Sequence, residues 1–298
     1  MLRDISETVI KPYKRNAEVM PGGELPPGIF RWALGVEYNG QRYSGWQRLP
    51  AQRVHTVQGT LEAALSSIAD ETIQLTCAGR TDAGVHATGQ VVHFDTAAVR
   101  PDKAWVLGTN TRLPPDIRVQ WARPVVPQFH ARFSAVARTY RYLVANTPAQ
   151  PAIAAQQCLW VRQPLNIAAM QEATRHCLGE QDFTSVRGAD CQAHSPVRHI
   201  HRFDVYQQGD WLVFELKANA FLHHMVRNLM GLILPVGKGV YTPDRVRHVL
   251  AQRDRTQAGK TEAAGALYLV KVDYGMDYGL PVRPLGPFML PDQLPAEI

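Results

Sequence analysis

The sequence predicts an α+β fold built as two halves of the same order, β-α-β-β-α-β, the split βαβ or ferredoxin-like pattern. Three observations carry this expectation. Segments of strict period-two alternation and segments with a helical stripe follow one another in that order, and the order then recurs. No low-complexity linker separates the two runs. The composition, 45% apolar and 19% charged over 298 residues with 21 Pro and 22 Gly, is that of a globular chain able to bury a full core.

In the first half, Trp32, Leu34, Val36 and Tyr38 alternate on one face of a strand. A polar loop follows from Asn39 to His55, with Arg42, Tyr43, Trp46, Arg48 and Arg53. Thr56 is an N-cap for a helix whose apolar stripe is Val57, Leu61, Leu65 and Ile68. Ile73 to Ala78 reads as a strand and Gly79 to Gly89 as a glycine-bracketed loop. Gln90 to Asp95 reads as a strand, Asp102 to Thr111 as a short helix, and Ile117, Val119 and Trp121 alternate in a further strand. In the second half, Thr139 to Asn146 alternates Tyr140, Tyr142 and Val144 against Arg141, Leu143 and Ala145. A helix is expected from about Asn166 to Leu178, then strands at Val197 to Tyr206 and Trp211 to Ala218 around the turn residues Gln208-Gly209-Asp210. A strongly apolar helix is expected from Phe221 to about Val236. Thr242-Pro243 opens another through Leu250, and Leu267 to Asp273 closes as a strand.

The expected organisation is a flexible extension over 1–28, one α+β half over 29–127, the other over 128–278 and a Pro-rich, extended tail over 279–298. A site belongs in the cleft between the halves.

Composition also excludes classes of function. No run of 18 apolar residues is present, so a membrane-spanning helix is not expected. The first 30 residues lack an apolar core segment, so no secretory signal is readable. Cys77, Cys158, Cys177 and Cys191 are far apart with no CxxC pair, which argues for a reducing, cytoplasmic setting and against a disulfide framework or a Cys-rich zinc site. The net charge is +6, and 25 of the 32 basic residues are Arg. Residues 1–28 are neutral and 276–298 carry −2, which leaves +8 on the body. Such a body permits nucleic acid as a partner without identifying one.

Chemistry concentrates in Cys77-Ala78-Gly79-Arg80-Thr81-Asp82-Ala83-Gly84-Val85-His86-Ala87. A carboxylate lies between two glycines, directly after a strand and beside an arginine. Glycines allow a tight turn and a close ligand approach, and a nearby guanidinium keeps a carboxylate ionised for attack or proton acceptance. A surface Asx-turn capped by Asp82 explains the same residues equally well.

The stretch Gly79-Arg80-Thr81-Asp82-Ala83-Gly84-Val85-His86 resembles the central motif of the TruA family of tRNA pseudouridine synthases. Tyr38-Asn39-Gly40 through Gly45-Trp46-Gln47 resembles the family's opening motif. Arg138-Thr139-Tyr140-Arg141-Tyr142 resembles its tyrosine strand, and Asn219-Ala220-Phe221-Leu222-His223-His224-Met225-Val226-Arg227 its late helix. The likeness runs from about Trp32 to Tyr274 and includes Phe129-His130-Ala131-Arg132-Phe133 and Leu267-Tyr268-Leu269-Val270.

The resemblance implies the pseudouridine synthase fold, in which two ferredoxin-like halves share one mixed, mainly antiparallel sheet with a central active-site cleft. It also implies isomerisation of uridine to pseudouridine in the tRNA anticodon stem-loop, at positions 38, 39 and 40, by a cytoplasmic homodimer. Asp82 falls on the family's essential aspartate, the nucleophile. Tyr140 falls on the active-site tyrosine that lies against the base, and Arg227 on the basic residue beside the aspartate. Arg80, in the same loop, is a candidate for an RNA phosphate or for holding the displaced nucleotide's place. Read without the resemblance, Tyr140 is a sheet-face core residue. Attack of Asp82 on the base or on the sugar carbon are both open, as are proton removal and stacking for Tyr140. Arginines of the 39–53 loop are candidates to grip phosphates, and Trp46 or Tyr43 to stack or pack.

The reaction needs no redox step, group donor or metal, and no cofactor is expected; the chain has no P-loop, GxGxxG or HExxH. His223-His224 invites a metal reading, but adjacent residues on a helix point about 100° apart and do not readily chelate one ion. Cys191-Gln192-Ala193-His194 lacks further ligands, and Phe221, Met225, Leu229, Leu232 and Ile233 read as core. His86 and His93 are each explained either as catalytic or as polar residues near the cleft. The alternative to an enzyme is a catalytically silent RNA-binding or RNA-folding protein of the same architecture, which would not need Asp82, Tyr140 and Arg227 together. A glycoside hydrolase needs two cooperating carboxylates, and the loop supplies one.

Overall fold

The computed structural model describes residues 24–48, 54–287 and 290; most of the expected N-terminal extension, Arg53 and the last eight residues lie outside them. The first half is β1 (Phe30–Tyr38), α1 (Val57–Ala69), β2 (Thr76–Cys77), β3 (His86–Thr96), a π-helical turn (Ala104–Gly108) leading into α2 (Thr109–Arg112), and β4 (Ile117–Val125). The second is β5 (Ala135–Ala145), β6 (Leu159–Trp160), α3 (Ile167–Arg175), β7 (Gly179–Asp182), β8 (Val197–Gln208), β9 (Trp211–Ala218), α4 (Met225–Gly237), α5 (Asp244–Gln252) and β10 (Leu267–Tyr274). All ten strands form one sheet, in the order β4-β1-β3-β10-β5-β9-β8-β7, with β2 also on β3 and β6 on β5.

Each half keeps the ferredoxin-like strand order: β4-β1-β3-β2 in the first, β10-β5-β9-β8 in the second. They meet where β10 runs parallel to the start of β3, Tyr268 opposite His86 and Leu269 opposite Ala87. Beyond that point β2 occupies the same edge, Thr76 opposite His93 and Cys77 opposite Val92. Glycine is required at this seam, because a Cβ on Gly89 would come within 2.1 Å of the Val270 carbonyl oxygen.

Alternation assigns the two faces. Trp32, Leu34, Val36 and Tyr38 of β1, Tyr140, Tyr142 and Val144 of β5 and Leu267 and Leu269 of β10 pack with α1, α3 and α4 in one continuous core. The opposite face carries two smaller clusters, around Ala33, Val91 and Phe129 and around Leu143, Val213, Tyr268 and Val270. The expected extended tail crosses this back face. Thr88 Oγ1 donates to the Leu285 carbonyl, Arg141 Nη1 to that of Gly286 at 2.7 Å, and Leu290 is buried.

Three expected boundaries move, each for a tertiary reason. The strand expected over Ile73–Ala78 shrinks to Thr76–Cys77, because the Ile73 and Leu75 N–H groups go to Ser66 Oγ and Glu62 Oε1 of α1 instead of a strand partner. The strand expected from Gln90 begins at His86, where β1 and β10 both supply pairing. The helix expected from Asp102 begins there, with a π turn over Ala104–Gly108 within it. The helix expected from Phe221 begins at Met225, because His224 takes a left-handed conformation, φ 60°.

Candidate active site

The loop between β2 and β3 is held from both ends. The Gln90 side chain stands in for a strand partner to Gly79: Nε2 donates to the Gly79 carbonyl at 2.6 Å, and Oε1 accepts from its N–H at 3.3 Å. The Thr81 carbonyl accepts from Trp46 N–H at 3.0 Å, and Thr81 Oγ1 lies 2.8 Å from Tyr38 Oη. The chain then reverses, with Val85 N–H on the Asp82 carbonyl at 3.1 Å. Gly84 has φ +79°, which a side chain would strain. Asp82 is thus a half-buried carboxylate on a fixed backbone, its side chain 20% exposed.

The other half faces it. Arg227, in the first turn of α4, donates Nε to the Glu262 carbonyl at 2.7 Å and Nη1 to Asp82 Oδ2 at 3.2 Å. Glu262 N–H returns to the Arg227 carbonyl. Gly231 lets this segment approach α4, since a Cβ there would come within 2.0 Å of the Lys260 carbonyl oxygen. Tyr140 of β5 is buried beneath, edge-on to Phe221 with centroids 4.9 Å apart. Burial, and then the Asp82 charge, push the Tyr140 phenol far up, so it stays protonated at neutral pH.

His223 and His224 lie against the same carboxylate, contrary to the expectation that they splay on a helix. They precede α4, and the left-handed turn at His224 brings the two rings together, tilted by 31° with centroids 3.8 Å apart. Both Nε2 atoms lie 3.5 Å from an Asp82 oxygen, His223 on Oδ1 and His224 on Oδ2. Desolvation pulls the His224 pKa down against the Asp82 charge, which raises it. Among the described residues, Asp82, His223 and His224 are the one group of three metal-ligating side chains whose donor atoms converge within 4.8 Å.

Other candidates fall elsewhere. Arg80 is exposed at the rim beside Asp82. Arg42 and Arg48 are exposed and touch Asp116 at 3.8 Å and Glu62 at 3.1 Å. Trp46 and Tyr43 pack rather than present a stacking surface; both are buried, and Tyr43 Oη donates to Asp116 at 2.7 Å. His86 braces backbone: Nδ1 accepts from Gly40 N–H, so Nε2 carries the proton towards the Gly265 carbonyl. His93 Nδ1 accepts from Ala131 N–H. Cys191 is buried and its Sγ accepts from His223 N–H at 3.4 Å.

Three supporting residues escaped the sequence reading. Gln90 and Glu262 position Asp82 and Arg227. Buried Arg138 ties the site's segments together, giving hydrogen bonds to the carbonyls of Ala78, Arg132, Ala135 and Asn219. The signal for Gln90 and Arg138 is a polar residue inside an apolar strand; Glu262 carries none, because its backbone acts.

The family model described as tRNA pseudouridine synthase matches residues 35–134 and 173–275. The tRNA pseudouridine synthase A of Aeromonas salmonicida (strain A449) is 51% identical over 266 residues, 89% of this chain and 98% of that protein. The tRNA pseudouridine synthase A of Pseudomonas aeruginosa is 51% identical over 263 residues, 88% of this chain and 92% of that protein. A solved H/ACA RNP bound to a substrate RNA containing 2'-deoxyuridine aligns with 76% of this chain and 50% of that chain at 10% identity, with a TM-score of 0.34.

Proposed function

From the premise that the chain belongs to the tRNA pseudouridine synthase family, we propose that it isomerises uridine to pseudouridine in the anticodon stem-loop of tRNAs, at positions 38, 39 and 40. The observation that carries this reading is one half-buried carboxylate, Asp82, held by Arg227 at 3.2 Å in the seam between two halves, above buried Tyr140. A single anchored carboxylate suits a reaction with one nucleophile and no second acid.

Balance of the reaction defines the roles. The C1′–N1 bond breaks, C1′–C5 forms, C5 loses a proton and N1 gains one. Asp82 is the nucleophile, towards the base or the sugar carbon, and Arg227 is its fixed counter-ion. Tyr140, kept as a neutral phenol, packs on the uracil and orients it. A base within a stem is unreachable, so the nucleotide flips out. Arg80, with Arg42 and Arg48 on the neighbouring loop, contacts phosphates and fixes register without reading sequence.

The same reading takes tRNA as the partner, a homodimer as the assembly and the cytoplasm as the setting. It uses no membrane; among the described residues no helix is long and apolar enough to cross one. Light scattering on the purified chain tests the dimer.

The decisive assay is release of tritium from tRNA labelled at uridine C5, followed by mapping of the modified positions. Wild type is expected to release tritium, and Asp82→Asn to release none while still binding tRNA. Activity in the Asn variant would remove Asp82 as nucleophile, and no release by wild type would remove the enzyme.

A further inference from the structure

We propose that Asp82, His223 and His224 form a binding site for a zinc-class divalent cation, and that the bound ion inhibits the enzyme by occupying its nucleophile. The inhibition half rests on the proposed function; the binding half does not.

The geometry is that of ligands around a shared centre. The His223 Nε2 to Oδ1 and His224 Nε2 to Oδ2 distances are both 3.5 Å. Good N–H···O bonds lie at about 2.7–3.2 Å, so these contacts are loose as hydrogen bonds. Zinc bonds of about 2.0–2.1 Å to nitrogen and oxygen put neighbouring tetrahedral ligands about 3.3 Å apart, close to the two histidine–carboxylate contacts, and all three donors lie within 4.8 Å of one another. Two imidazoles and one carboxylate favour zinc, cobalt, nickel or copper over magnesium or calcium. Three protein ligands also leave a fourth position open to water.

The surroundings hold the ligands in place. His223 and His224 are held by their ring–ring contact and the left-handed turn at His224, and Asp82 by its braced loop. Arg227 works against the ion, because its guanidinium is 3.2 Å from Asp82 Oδ2. The site is therefore weaker than a closed structural zinc site, and removal of that charge strengthens it. A cation there also draws the carboxylate away from the base and fills the space the flipped nucleotide needs.

The test starts with the full chain freed of metal by EDTA. Zinc is titrated against a chromophoric chelator, and cobalt is added separately to read coordination from its visible bands. One equivalent per chain is expected at micromolar zinc. The double variant His223→Gln/His224→Gln should bind more than about a hundredfold more weakly, since even outer-shell changes at metal sites cost about 10–100-fold. Arg227→Met should bind more tightly than wild type. Circular dichroism and thermal melting check the folding of each variant; Asp82→Asn, an isosteric change, gives a second reading if the double variant fails to fold. Equal affinity in wild type and double variant, a need for millimolar zinc, or weaker binding by Arg227→Met overturns the site. Retained binding of that kind would move the ion elsewhere, such as the stacked His199–His201 pair. Zinc should also stop tritium release by wild type, and EDTA should restore it; bound zinc without inhibition overturns the inhibitory role. A metal-free chain that releases no tritium counts against the proposed function and leaves the binding result standing.

Discussion

The two halves run the same strand order, yet the second strand is two residues long in the first half and twelve in the second. In the second half, β8 and β9 are joined by a tight turn at Gly209-Asp210, and the hairpin is a plain structural element. In the first half, the corresponding connection is the loop from Ala78 to Val85. Shortening β2 leaves the start of β3 unpaired on one side, and β10 takes the place. One truncation thus frees an edge for the seam and a length of chain for the carboxylate that stands over it. The second helices differ as well: in the first half the π turn at Ala104–Gly108 interrupts the helix and leaves the four-residue α2, whereas α4 has thirteen residues and carries Arg227. Asp82 comes from the first half, and Arg227 and Tyr140 from the second.

The largest expected effect tests the two hairpins against each other. Asp82→Asn should lower the rate of pseudouridine formation by at least about four orders of magnitude, as loss of a nucleophile does. Asp210→Asn, at the matching connection of the second half, should leave it within about twofold, because the residue is exposed in a turn. Single-turnover rates on one tRNA transcript measure both, and a comparable loss at Asp210 would break the comparison.

The back faces differ next. Glu215 of β9 is fully buried and takes Arg141 at 2.7 Å together with Arg202. The first half has the Arg31–Asp95 pair at its rim, with Asp95 36% exposed. Glu215→Gln should lower unfolding stability in urea by about 3–5 kcal/mol, because it removes the negative charge that compensates a buried arginine. Asp95→Asn should cost no more than about 1 kcal/mol.

Across the seam, the two arginines nearest Asp82 should separate chemistry from grip. Arg227→Gln should lower kcat by about 10²–10³-fold, the scale of losing one preorganised electrostatic partner, with little change in tRNA affinity. Arg80→Gln, on the rim, should weaken tRNA binding and lower the slope of log affinity against log salt by about one. Filter binding over a salt series checks this. An unchanged slope would take Arg80 off the phosphates.

The parts legible in the sequence are those encoded by local pattern. Period two in Trp32–Tyr38 and Tyr140–Val144 places each residue on its observed face, and the Val57–Ile68 stripe marks α1 from its Thr56 cap. The glycines around Asp82 mark a turn for the reason the structure gives, a positive φ at Gly84. Long-range partners decide the rest. Nothing within Ile73–Ala78 says that Glu62 and Ser66 will take its amides. Nothing in His223-His224 announces a left-handed residue, so helical spacing gives the wrong geometry there. The two-residue β6 and the polar β7 exist only because β5 and β8 offer them an edge.

Histidine gives the finest test, because the halves place it differently: half-buried near Asp82 in the second, buried as a backbone brace in the first. Burial, helped by the nearby charges of His130 and Arg31, drives His93 from its ordinary 6.5 down to about 3. Above pH 6.5 the ring is neutral both folded and unfolded, and it has no effect on stability. Below that pH the unfolded chain binds a proton that the folded chain refuses until about pH 3, so stability falls as pH falls. The loss reaches about 2 kcal/mol by pH 5. His93→Gln keeps an oxygen to accept Ala131 N–H but has no proton to bind. Wild type should therefore lose about 2 kcal/mol more than the variant between pH 7 and pH 5, read from urea unfolding at each pH. Parallel curves would mean that the ring is protonated where it stands, and that the first half's brace is not the neutral one its burial requires.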